Sequence, residues 1–167
     1  MQLTSVQKQN TIQNNKGGFY MFELMKKRIK NEKGLSLVEL LAVIVILAIV
    51  AAIAIPAIGN IIENSRLNGV KSDAINVINS ANLYYTDNPE ATTVDVKKLK
   101  EDKYLDSEGT IPADATISVD VPRKLTAAAI KFSGEKTVTF KGATVKGIND
   151  EKTKGSAVPD TGLSIEK

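Results

Sequence analysis

The sequence predicts an α+β protein: a long N-terminal helix, membrane-spanning in its first half, packed by its second half on a small antiparallel β-sheet. Three observations predict it. Leu40 to Ile55 is an unbroken apolar run of 16 residues. From Ile58 to Tyr85 apolar residues recur mostly every three or four positions, the period of one helix face. From Thr116 the pattern switches to the alternation of half-buried strands.

Composition bounds what such a chain can do. At 167 residues it holds one ordinary domain, and 43% hydrophobic with 25% charged residues excludes both a wholly disordered tail and a multi-span membrane protein. Cys 0 excludes disulfides and thiolate sites, and His 0 removes the commonest metal ligand and general base. Catalysis would rest on carboxylates, Lys, Tyr or Ser, and no paired-acid motif is present. We therefore expect no enzyme, no cofactor and no metal centre.

Residues 1–34 form a basic leader in which Lys8, Lys16, Lys26, Lys27, Arg28, Lys30 and Lys33 face only Glu23 and Glu32, a net of +5 against +3 for the whole chain. Removal of the leader leaves a mildly acidic remainder, so the overall basicity gives no argument for nucleic-acid binding. Lys16, Gly17 and Gly18 precede Met21 at a spacing whose codons would read as a ribosome-binding site. Translation is expected to begin at Met21, the alternative being a real polar extension from Met1.

Residues 35–58 are read as the membrane and assembly helix. Leu35 to Ile58 is 24 residues, about 36 Å as a helix, enough for a hydrocarbon core of about 30 Å. Only Ser36, Glu39 and Pro56 interrupt it. The cationic flank from Lys26 to Lys33 stays cytoplasmic under the positive-inside rule, which puts the C-terminal side outside. Two simpler readings compete: a secretory signal peptide cut after Ala54, and a plain single-span anchor. Both leave unexplained a carboxylate at Glu39, which is costly in hydrocarbon without a cation beside it.

Lys33, Gly34, Leu35, Ser36, Leu37, Val38 and Glu39 place a basic residue and a glycine before the apolar run and an acid five residues beyond the glycine. This pattern resembles the class III signal sequence of type IV pilins and pseudopilins, from Lys33 to about Ile62, with Pro56 where that family has a proline. The resemblance implies a pilin-like fold, cleavage after Gly34 by a membrane prepilin peptidase, and N-methylation of Leu35 as the new first residue. The family usually has Phe there, so Leu35 departs from its pattern while Ser36 fits. It also implies an assembly ATPase with its membrane platform, other pilins as partners, and membrane lipid around the stored subunit. The product would be a homo-oligomeric helical filament, first in the cytoplasmic membrane and then extracellular at the cell surface. A surface pilus and a pseudopilus of a competence or type II secretion system remain open, as do adhesion, motility, DNA uptake and export.

Elementary electrostatics supports the same reading. Cleavage after Gly34 creates an α-amino group on Leu35 that is cationic near neutral pH. Leu35 of each incoming subunit is expected to meet Glu39 of a neighbour, fixing register by a heterologous, non-closing contact.

Residues 59–85 continue as the amphipathic half of the same helix, which as 51 residues from Leu35 would span about 77 Å. Pro56 deletes the hydrogen bond to the Ala52 carbonyl and Gly59 adds flexibility, so a kink or local melting is expected there. Thr86 to Pro89 stops the helix, and 86–115 reads as a connecting loop with one short helix among Val94 to Leu105. Strands are expected over Ile117–Val121, Leu125–Ser133, Thr137–Lys141 and Ala143–Ile148, with turns at Ser133–Lys136 and Lys141–Gly142, giving an antiparallel sheet over 116–148. The remainder, 149–167, reads as a loose polar tail without the disulfide clasp that the resemblance would supply.

Other candidate chemistry is thin. Asp102, Asp106, Glu108 and Asp114 make a candidate calcium loop, against an ordinary solvated loop. Val158 to Gly162 looks like a sortase signal but lacks the apolar span and basic tail that sorting needs. Residues 86–122 carry nine acids against four lysines, whereas 123–154 carry eight basic residues against three acids. This two-ended charge suggests salt-sensitive steering between subunits. DNA is the alternative partner, through Lys131, Lys136, Lys141 and Lys146, although Trp 0 and 5% aromatics leave little to stack on bases. The function from another class is a secreted binding or carbohydrate-active domain released after Ala54.

Overall fold

The computed structural model describes residues 36–166, and the chain divides into two compact units, Met1–Val50 and Ala51–Lys167. The leader, both candidate start sites and the Gly34–Leu35 bond lie outside the described residues.

In the first unit the described residues are the start of helix α1, Leu37–Asp87, and every side chain from Ser36 to Val50 is exposed. The leucines and alanines of this stretch favour helix and no glycine or proline breaks it, which carries the weaker helix formers valine and isoleucine along.

In the second unit α1 stays helical through Pro56 and Gly59, so the expected melting does not occur. Proline removes a single backbone bond, and the alanines and isoleucines on either side keep the rest. Burial begins at Leu67, later than the start of the amphipathic half at 59 would suggest: Ile58, Ile61 and Ile62 are exposed, while Leu67, Val70, Ala74, Val77, Ile78 and Ala81 are buried. The helix ends where Asn88 turns back, its amide donating to the Tyr84 carbonyl.

The stretch expected as a loop contains a strand, β1 (Thr93–Asp95), and a short helix, α2 (Val96–Glu101). Asp95 starts α2 by accepting the Lys98 N–H at 2.6 Å, an N-cap. Then follow β2 (Thr116–Ser118), β3 (Leu125–Ser133), β4 (Lys136–Ala143), α3 (Val145–Asp150), a 3-10 turn (Gly155–Ala157) and β5 (Leu163–Glu166). The sheet order is β1-β2-β3-β4-β5, antiparallel up to β4, with β5 parallel to β4.

Four expectations are corrected here. The sheet is mixed rather than antiparallel, because residues 144–162 form a crossover long enough to return the chain in the same direction. Lys141–Gly142 is not a turn: Leu125 pairs with Ala143 and Thr126 with Lys141, so Gly142, at φ +66°, is the extra residue of a bulge inside β4. The fourth expected strand is α3 instead, because the Thr144 hydroxyl accepts the Gly147 N–H at 3.1 Å and caps a helix. The tail read as loose supplies β5, whose Ile165 is buried together with Val158.

The core lies between α1 and the sheet. Phe140 and Val138 of β4, Leu125 of β3, Ile117 of β2 and Ile165 of β5 join the helix stripe in one buried cluster. A second bulge in β3 exposes both Ala128 and Ala129 and thereby restores Ile130 and Phe132 to the buried face. The buried Tyr85 hydroxyl donates to the Ile117 carbonyl at 2.6 Å, tying the helix end to β2.

Candidate functional site

The candidate site is the head of α1. Ser36 and Glu39 form a reciprocal cap: the Ser36 N–H donates to Glu39 Oε2 at 2.8 Å, and the Glu39 N–H donates to Ser36 Oγ at 3.2 Å. This is the S-x-x-E capping box, which satisfies two of the orphan donors at a helix start. The carboxylate expected to need a cation from outside its own chain thus has a neutral partner within it. No ion pair among the described residues includes Glu39. The other oxygen, Oε1, accepts nothing among the described residues.

Behind this cap, α1 is long and apolar enough by length and composition to cross a membrane. Leu40, Leu41, Val43, Ile44, Val45 and Ile46 are each about half exposed or more, an apolar surface that water does not favour. Pro56 lies in the second unit, within the helix and exposed, with no side-chain partner to reveal a role.

The acids of the 102–114 segment are not gathered. Asp102 pairs with Lys98 at 2.8 Å and Glu108 with Lys100 at 2.6 Å, while Asp106 and Asp114 are exposed. Among the described residues no three metal-ligating side chains of His, Cys, Asp or Glu converge, so the calcium reading finds no support. The lysines of α2 claim two of the four carboxylates, Asp102 and Glu108. Val158–Gly162 is a turn leading into β5, closed by the Gly162 N–H on the Pro159 carbonyl at 2.9 Å, and its Val158 is buried. The β-region acids Glu135 and Glu166 face Lys131 and Lys141 rather than each other.

A polar clasp holds the C-terminal region to α1. Lys136 donates to Glu63 at 2.8 Å and to the Ser156 carbonyl at 3.0 Å, Ser133 donates to Glu63 at 3.2 Å, and the Ser156 N–H donates to Asn64 Oδ1 at 2.9 Å. Gly155 is required beside it, because a Cβ there would run into the Glu63 carbonyl. The Lys136 ammonium holds the Glu63 carboxyl below its ordinary pKa. Further along, Lys71 donates to the Glu151 carbonyl at 2.8 Å, and burial pushes its ammonium pKa down.

With this geometry in place, comparison with known families is specific at one end of the chain. Residues 29–55 match the prokaryotic N-terminal methylation motif. The chain therefore carries a type IV prepilin-like signal, and the matched residues include Lys30, Lys33, Gly34, the Ser36–Glu39 cap and the apolar run to Ile55. No curated protein and no solved structure matches. Sequence reasoning found the glycine, the acid and the apolar run but missed the capping box, although Ser36 and Glu39 stand at the required spacing.

Proposed function

We propose that the chain is a structural subunit of a type IV pilus-like filament, processed after Gly34, N-methylated on Leu35 and polymerised through its apolar N-terminal helix. The observation that carries this reading is the methylation motif over 29–55, which contains an acid five residues beyond a glycine at the head of an apolar helix. The cap refines the mechanism. Glu39 Oε2 is held by its own Ser36, which orients the carboxylate and leaves Oε1 for the α-amino group of Leu35 on a neighbouring copy. Cleavage after Gly34 keeps the Ser36 N–H, so the cap survives processing. Prepilin peptidase performs the cut, an assembly ATPase and membrane platform drive insertion, and the subunit waits as a single-pass membrane protein with its C-terminus outside.

N-terminal mass spectrometry of the mature protein tests this directly. The expected terminus is N-methyl-Leu35. A terminus at Ile55 would instead support the secreted domain, and an intact leader the plain anchor. Glu39→Gln, which keeps size but removes charge, is expected to be processed normally and to abolish filaments seen by electron microscopy.

A further inference from the structure

A groove of about 590 Å³, within the usual range for binding clefts, opens between α1, the loop joining β2 to β3, and α3. Its apolar wall includes Ile78, Val121, Pro122 and Val145, and its cations are Lys146, paired with Asp150 at 2.8 Å, and Arg123, which forms no ion pair among the described residues. The Arg123 guanidinium sits 4.7 Å above the Tyr85 ring, and its Nε is buried with no hydrogen-bond partner among the described residues. A guanidinium so placed presents a planar fork that matches a carboxylate. Two acids close in sequence to groove residues are engaged elsewhere: Asp120 faces Lys124 at 3.5 Å, and Asp150 faces Lys146 at 2.8 Å. Asn82 and Asn149 add exposed amides to the lining, groups that suit a passing peptide backbone. Val121 is 87% exposed, and among the described residues beyond Ile62 only Leu83 is a comparably uncovered large apolar side chain.

We propose that this groove docks the acidic segment 102–114 of a second copy of the chain, with a carboxylate of that segment on Arg123. The proposal rests on the filament reading. Charge selects the occupant. The stretch 86–122 carries nine acids against four lysines, whereas the groove's charged lining, Arg123 and Lys146, comes from the basic stretch 123–154. Within 102–114, Asp102 and Glu108 are answered by their own lysines, whereas Asp106 and Asp114 are exposed and form no ion pair among the described residues. The unanswered acids on one copy thus complement the unanswered guanidinium on the next. Val121 and Pro122 cover the pair from water, where such a contact gains most.

Cys 0 makes the test clean, since an introduced pair supplies the only thiols. Asn149→Cys on the groove and Ser107→Cys on the acidic segment are placed together in the full-length, processed protein, and filaments are oxidised. A ladder of covalent dimers, trimers and larger species is expected. Arg123→Glu should reduce it about tenfold or more, and adding Asp106→Lys with Asp114→Lys should restore it. The two lysine substitutions alone, which leave the groove intact, should also reduce it. An undiminished ladder in either variant, no ladder from normally formed filaments, or cross-links solely to a different protein each overturns the docking while the filament reading stands. Failure of the parent chain to form filaments at all sinks the filament reading first, and the docking with it.

Discussion

The two stretches of α1, residues 37–62 and residues 63–87, share a helix but not a solvent. In the first, apolar residues surround the helix, and Leu37, Val38, Ile53 and Ile55 remain more than two-thirds exposed. In the second, polar residues return, and a single stripe from Leu67 to Tyr85 closes against the sheet. Helicity is therefore not what distinguishes them. The second stretch finds its apolar partners within its own chain, whereas the first needs hydrocarbon or other helices, and only the first carries the prepilin-like signal. One stretch is built to be completed by its surroundings and the other is already complete.

The strongest way to break this contrast is to charge the incomplete stretch. Ile46→Arg places a cation mid-helix, where a cost of about 2.5–3.5 kcal/mol opposes membrane insertion. We expect loss of the membrane-inserted precursor in cell fractionation and of filaments in micrographs. The melting temperature of the protein in detergent should stay within a degree or two of the parent, because Ile46 is 60% exposed and outside the core cluster. A large fall in melting temperature would show that the first stretch contributes to folding after all.

Phe140→Ala is the converse experiment. Phe140 of β4 is fully buried in the core cluster, so truncation should cost about 3–5 kcal/mol in denaturant unfolding of the full-length protein in detergent. Processing after Gly34 should survive in whatever fraction folds, since the signal for it lies in the other stretch. Equal loss of cleavage and of folding would erase the distinction between the two.

How far the sequence announced this architecture depends on the range over which each element is decided. β3 was legible as Leu125–Ser133, and α1 as far as Tyr85, because periodicity over many residues outweighs local accidents. β1 and β5, of three and four residues, were not, since so short a strand exists only through the neighbour it pairs with. The Thr144–Gly147 cap and the Gly142 bulge were local signals that could be read two ways: a threonine before alternating residues resembles a strand, and a glycine after lysine resembles a turn. At the candidate site, Glu39 was visible as an anomaly and Ser36 was underused. Arg123 was invisible, because its place over the Tyr85 ring and its unpartnered Nε depend on how the β2–β3 loop folds back on α1.

The smallest expected effect sharpens the contrast at the point where the packed stretch begins. Glu63 is the first acid of the second stretch, and Lys136 and Ser133 both donate to it, so its folded-state pKa lies below its ordinary value. A carboxyl with a lowered folded pKa stabilises the fold above its unfolded pKa, about 4.3, and that stabilisation disappears as pH falls through the folded value. Glu63→Gln should therefore unfold more easily than the parent at pH 7, by a few degrees and by less than Phe140→Ala. The gap should narrow steadily below pH of about 4.3 and close once both forms of the parent carry a protonated Glu63. Thermal melts of parent and variant from pH 7 to pH 2.5 measure this difference directly. A gap that stays constant with pH would mean that the clasp works through shape and neutral hydrogen bonds, with the Lys136 charge contributing nothing.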